Sequence, residues 1–331
     1  MTSKISKSAQ QDELNASESA IARQRTVGEN IKLYSLAILR DPTALFALVW
    51  LTLILVATFG VDLLAPFSPT DQSLRLRNMP PLTPSPDSWF PHLFGTDALG
   101  RDVFSRVLYA GQLSLAVGFS GVIVSGGFGV MMGLIAGYYG GKTDSIIMRV
   151  VDLQIGFPFL MLAIFFLYAL GPGFWNVVIV LAIVRWPVYA RVTRGMTLSL
   201  REQQFVESAR VVGCSNRRII GVHILPNLIS PILVLATLEV ARLILAESAL
   251  SFLGLGVQPP ETSWGRLIAD GRQYISTAWW LVAVPGFFIF LTALSANLLA
   301  TWARAVTDPV QRWRWLVKGQ KPTPAKTQAQ E

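Results

Sequence analysis

Apolar residues along this chain gather into long runs separated by shorter polar stretches. The runs fall at about 43–65, 113–137, 153–171, 174–191, 227–250 and 279–302. A helix of about 20 apolar residues crosses a hydrocarbon layer roughly 30 Å thick. The pattern therefore predicts an all-α membrane protein with six transmembrane helices. The first nineteen residues of the first run, TALFALVWLTLILVATFGV, carry no charge. Gly171-Pro172-Gly173 separates the third run from the fourth and predicts a tight turn joining them as a hairpin. Pro158 and Pro187 fall inside runs, which buried helices tolerate when neighbours satisfy the freed carbonyls.

Between the fourth and fifth runs lies FVESARVVGCSNRRIIGVHILP, Phe205 to Pro226, too charged to span and too apolar for an idle linker. Phe205, Ala209 and Val212 follow helical spacing, with Glu207 and Arg210 on other sides of that helix. Gly213 is placed to end it, because glycine accepts the left-handed conformation at a helix C-terminus. Ser215 or Asn216 can cap a second helix, RRIIGVHIL, which Pro226 is expected to interrupt. An isolated helix this short is marginal in water. Two supports fit the pattern: the lipid surface, or a groove on a partner protein. Arg217 and Arg218 suit either.

Composition agrees with a membrane chain, at 52% hydrophobic and 15% charged residues and a mean hydropathy of +0.47. The net charge of +8 is read from its distribution. Nineteen Lys and Arg lie in 1–41, 138–151, 192–226 and the tail from 303, against six in 66–112 and 251–278. Positive residues accumulate on the cytoplasmic side, which predicts both termini and the 205–226 segment there. Topology thus accounts for the basic balance, and nucleic-acid binding gains no support from it. No signal peptide is evident, since the first 40 residues are polar. Residues 1–41 read as a cytoplasmic tail with an interfacial helix over about 29–40, residues 43–304 as the transmembrane domain, and 305–331 as a polar cytoplasmic tail.

Charges inside the fifth run are the candidates for a pathway. Glu239, Arg242 and Glu247 fit one helical sector about 140° wide. Each costs about 2.5–3.5 kcal/mol at mid-bilayer, so such residues face a cavity or one another. Either Glu239 and Arg242 simply neutralise each other, or this face lines a path with Glu247 near its external mouth. Outside the membrane, Gly100 to Gln112 reads as an amphipathic piece on which Asp102 and Arg106, four apart, can pair on the wet side.

Several chemistries are disfavoured. Ala136 to Thr143, AGYYGGKT, nearly matches a phosphate-binding loop, but it follows a membrane helix instead of a strand. The single Cys214 excludes an internal disulfide and a CxxC site. His92 and His223 are the only histidines, too few for paired haem ligation or an HExxH zinc site.

Glu207-Ser208-Ala209 with Gly213 and the closing His223-Ile224-Leu225-Pro226 resembles the EAA loop of permease subunits of bacterial ABC importers. GTDALGRDVFSRVLYAGQLSL (95–115), MRVVD (148–152) and AESALSFLGLGVQPPETSWG (246–265) resemble the dipeptide/oligopeptide/nickel branch, specifically its C-type permease. Two stretches depart from that branch: Gln112 stands where it usually has Arg, and Thr301-Trp302-Ala303-Arg304-Ala305 replaces its usual last cytoplasmic sequence. The resemblance implies a type I ABC importer permease fold in the bacterial inner membrane. It implies a second homologous permease, two ATPase subunits and an extracytoplasmic solute-binding protein as partners. ATP and Mg would then reside on the ATPases, with no cofactor and no catalysis on this chain. Phe205, Glu207, Ser208, Ala209, Arg210, Gly213, Arg217 and Arg218 would form the ATPase-coupling loop. Gly100, Arg101, Asp102 and Arg106 would belong to the external face that meets the binding protein. By the same resemblance the mechanism would be alternating access driven by ATP. A reading from another class is a stand-alone secondary transporter or channel, in which 205–226 would lie on lipid.

Overall fold

The computed structural model describes residues 38–39, 41–86 and 88–307. Most of the expected N-terminal interfacial helix and nearly all of the C-terminal tail lie outside those residues. Ten helices organise the rest. They are α1 (Pro42–Phe59), α2 (Val61–Leu64), α3 (Val103–Tyr139), α4 (Gly141–Ile155), α5 (Phe159–Leu170) and α6 (Phe174–Arg201). α7 (Gln204–Val211), α8 (Asn216–Phe252), α9 (Trp264–Gly271) and α10 (Trp280–Thr307) complete them. Among the described residues there is no strand, only the isolated bridges Thr83 to His92 and Thr96 to Asp102. Among the described residues, five helices are long and apolar enough to span a membrane, or six if the bent pair α4–α5 counts as one span.

The third apolar run departs from a straight span. α5 has 12 residues, about 18 Å of helix, and α4 meets it at 93° across Gly156-Phe157-Pro158. Pro158 lacks an N–H and ends one helix while starting the next. Side chains pin α4 to α6: Arg194 pairs with Asp144, Arg191 with Asp152 at 2.6 Å, and Trp186 Nε1 donates to Gln154 Oε1 at 3.1 Å. Pro187 sits inside α6 and cannot bond the carbonyl of Ile183; the amide of Gln154 donates to that oxygen instead. That is the compensation a buried proline requires.

α3 is 37 residues long, about 55 Å, so it extends beyond the apolar layer. Asp102 caps it by accepting from the Ser105 N–H at 2.7 Å. Gly129, Gly133 and Gly137, one turn apart, form a seam against α6. A Cβ on Gly129 would lie 2.4 Å from the Trp186 carbonyl oxygen, and one on Gly133 2.5 Å from that of Ala190. Small residues at this spacing let two membrane helices approach backbone to backbone.

α8 runs through Pro226, which was expected to interrupt it. A π-helical stretch, Ile219–Ile224, precedes the proline, and Leu225 N–H reaches back to the Ile220 carbonyl. The widened turn gives the ring room that an α-turn would deny. Opposite α7, Trp264 of α9 is fully buried; its Nε1 donates to the Val107 carbonyl at 2.8 Å. Ile54, Val107, Ile244 and Leu281 pack around it and tie α1, α3, α8 and α10 together.

Candidate functional site

Three places hold the residues singled out from the sequence. The first is α7, beyond the ends of α3 and α6. Val206 and Ala209 are its buried face and pack with Leu134 and Tyr138 of α3 and with Ile219, Ile224 and Leu228 of α8. The segment therefore has a core within its own chain. Helical periodicity was right but its phase was not: Phe205 and Val212, expected beside Ala209, are 43% and 82% exposed. Gly213 ends the helix with φ +83°, and Gly213 N–H bonds Arg210 O at 2.9 Å while Cys214 N–H bonds Ala209 O at 3.0 Å. This is the Schellman arrangement that glycine favours. Ser215 occupies the next N-cap position without a side-chain cap, and the Asn216 side chain accepts from Tyr138 Oη at 2.8 Å. Arg210 lies over the Tyr138 ring, 5.5 Å from its centre. Glu207, Ser208, Arg217 and Arg218 are exposed, as is Val211 at 84%.

The second place is the α6–α8 interface. Glu239 is completely buried, and its carboxylate accepts from Arg185 Nε at 2.8 Å and from Nη2 at 2.6 and 2.7 Å. Arg242 Nη1 adds a bond at 2.9 Å. Glu239 and Arg242 thus meet as the spacing allowed, yet Arg185 is the main partner. The cluster of two guanidiniums and one carboxylate carries a net positive charge, so the pair does not merely neutralise itself. The Phe159 ring lies 5.6 Å from the Arg185 guanidinium. Glu247, on the same helix, stands apart. It is fully buried, with Ser251 Oγ donating at 2.6 Å and Ser114 Oγ at 3.3 Å.

The third place is the approach to α3. Asp102 does not pair with Arg106. Its Oδ1 is 2.9 Å from His92 Nδ1, whose ring stacks on Phe67, and its Oδ2 caps α3. Arg106 is buried and pairs with Asp97, as does Arg101 at 2.7 Å. The reason is positional: Asp102 sits before the first helical turn and points to that turn's amides, leaving Arg106 to a loop carboxylate. Gly100 takes φ +74° with its α-carbon against the Ser73 backbone, closing the loop.

Residues that the sequence reading missed are Val206, which is buried and orients α7, the exposed Val211, Arg185, and the glycine seam. The seam was readable, as glycines four apart in an apolar run; Arg185 lies 54 residues from Glu239 and left no local signal. Among the described residues, no group of three or more His, Cys, Asp or Glu could hold a metal.

A bundle of long apolar helices with a charge cluster buried between two of them is the architecture of an all-α multi-pass membrane protein. Residues 129–311 match the family model for the binding-protein-dependent transport system inner membrane component, and 36–81 match the N-terminal TM domain of oligopeptide transport permease C. The dipeptide transport system permease protein DppC of Alkalihalophilus pseudofirmus is 42% identical over 82% of this chain and 86% of its own length. The oligopeptide transport system permease protein OppC of Haemophilus influenzae is 38% identical over 82% and 86% respectively. An inward-facing structure of the MetNI methionine ABC transporter aligns with TM-score 0.47 at 16% identity, over 60% of this chain and 95% of that one. The chain belongs to the C-type permeases of the ABC-type dipeptide/oligopeptide/nickel importer family. It is a non-catalytic transmembrane permease component.

Proposed function

We propose that this chain forms half of the translocation pathway of an importer for peptides or related solutes, nickel complexes included. α7 and the turn at Gly213 couple it to the ATPases. The observation that carries the reading is the division of α7 into two faces. Val206 and Ala209 are locked onto α3 and α8, while Phe205, Val211 and Val212 are exposed beside Glu207. A helix braced on one side and apolar on the other suits insertion into a groove on a partner. Bracing also lets a push on α7 reach α3 and α8 as a unit. The positive-residue distribution supports a cytoplasmic position for α7 and both termini in a bacterial inner membrane. A second permease would complete the pathway. Two ATPase subunits would supply ATP and Mg chemistry, and an extracytoplasmic solute-binding protein would deliver the solute at the end carrying residues 66–102.

Co-purification in mild detergent tests the reading. The wild-type chain is expected to recover an ATPase, and Glu207→Lys or Gly213→Pro to lose it. Transport that persists after ATP depletion, with no ATPase recovered, would favour a stand-alone transporter instead.

A further inference from the structure

The Arg185–Glu239–Arg242 cluster is asymmetric. Arg185 spends the Nε–Nη2 edge of its guanidinium on both oxygens of Glu239 and is mostly buried, its side chain 17% exposed. Among the described residues the side-chain bond of Arg242 is the single one from Nη1 to Glu239, and its side chain is 59% exposed. A guanidinium offers five N–H donors, so most of those on Arg242 are unspent. Glu239 is already engaged by Arg185 and cannot neutralise both cations.

Arg242 lies ten residues, about 15 Å, before the Phe252 end of α8, within the apolar layer. A cation at that depth cannot face hydrocarbon without a cost of about 2.5–3.5 kcal/mol. Its surface must therefore be a water-filled path or another protein. Arg185 holds Glu239 in place, and Glu239 in turn orients Arg242 by one bond. The free edge of the guanidinium is thus presented outward from a fixed base.

We propose that Arg242 is an anion-recognition residue of the pathway, receiving the terminal carboxylate of a peptide as it passes, with Arg185 and Glu239 as its positioning residues. The inference rests on the peptide-importer reading above. A carboxylate is the group common to all unmodified peptides, and a guanidinium takes it by paired charge-assisted hydrogen bonds. The residual bond to Glu239 keeps part of the cation's charge compensated, which suits a site that must release what it holds.

The test uses the assembled importer, purified with its second permease and ATPases but without the binding protein. Saturation-transfer NMR reads weak binding of trialanine and of trialanine amide, which lacks the carboxylate. Trialanine is expected to bind the wild type better than its amide. Arg242→Gln should weaken trialanine about ten- to a hundredfold without changing the amide, and Arg242→Lys should fall between. Equal binding of the two peptides by the wild type, or no effect of Arg242→Gln, overturns the proposal. So does failure of Arg242→Gln to assemble with the second permease, because Arg242 would then pair with an acidic residue across that interface. ATP-driven trialanine uptake in proteoliposomes, with the solute-binding protein added back, separates the two levels. No uptake by the wild type defeats the peptide-importer reading itself, whereas full uptake by Arg242→Gln defeats this inference alone.

Discussion

Arg185 of α6 grips both carboxylate oxygens of Glu239 on α8, with contacts of 2.6 to 2.8 Å in a site from which Glu239 has no solvent access. Val180 and Leu181 of the one helix and Leu243 and Ala246 of the other share a single apolar cluster. A paired charge inside such a layer is costly to break, because removing one partner strands the other away from water.

Arg185→Ala is therefore expected to destabilise the chain by about 3 kcal/mol, the low end for a broken buried pair because Arg242 still reaches Glu239. Arg185→Met with Glu239→Leu should recover most of that loss, since no buried charge is left unpaired and the remaining cation, Arg242, is 59% exposed. Thermal unfolding in detergent compares the three proteins. A double variant no more stable than Arg185→Ala would show that the charges are not what joins α6 to α8.

The glycine seam predicts a contrast within one helix. Gly133→Ala places a methyl group against the Ala190 carbonyl and the Thr193 side chain, whereas Gly127→Ala meets nothing within 4 Å. The first should cost about 1–3 kcal/mol through forced separation of α3 and α6, and the second should be neutral or slightly stabilising. Melting temperatures of the two variants check this directly.

On α7, Val206→Asp and Val211→Asp are expected to fail in different ways. Val206 is fully buried against α3 and α8, so a carboxylate there should lower stability and yield. Val211 is exposed, so its variant should fold as the wild type does yet recover less ATPase on co-purification. Normal ATPase recovery by Val211→Asp would show that the exposed apolar face of α7 is not the docking face.

Asp102 carries a helix cap and the only polar contact of His92 Nδ1 among the described residues. Asp102→Ala should cost about 1–3 kcal/mol, combining a lost N-cap with a stranded buried ring nitrogen. Asp102→Asn, which can still accept from the Ser105 N–H, should cost less. Hydrogen exchange at the first turn of α3 distinguishes them.

Much of this protein is decided locally. Long apolar runs define the spans because lipid admits only a backbone bonded to itself. Gly213 ends α7 because the required φ is one that a side chain resists, and Asp41 caps α1 through the amides of Thr43 and Ala44 at 3.0 and 3.3 Å. The EAA-like spacing of Glu207 and Gly213 is legible for the same reason: its signal lies within two turns of the chain.

What tertiary structure alone decided are the matters of partnership. Whether Phe205 or Val206 faces inward depended on where Leu134 and Tyr138 of α3 arrive, and one residue of phase moves a side chain by about 100°. Pro226 did not stop α8 because a π turn absorbed it, while Pro158 did break its run where α4 is held down on α6. Glu239 and Arg242 were legible as neighbours on one helix. That Glu239 belongs first to Arg185, leaving Arg242 with charge to spare, required α6 and α8 to meet. Helix periodicity states which residues share a face; only packing determines which face finds water, lipid or a counter-charge.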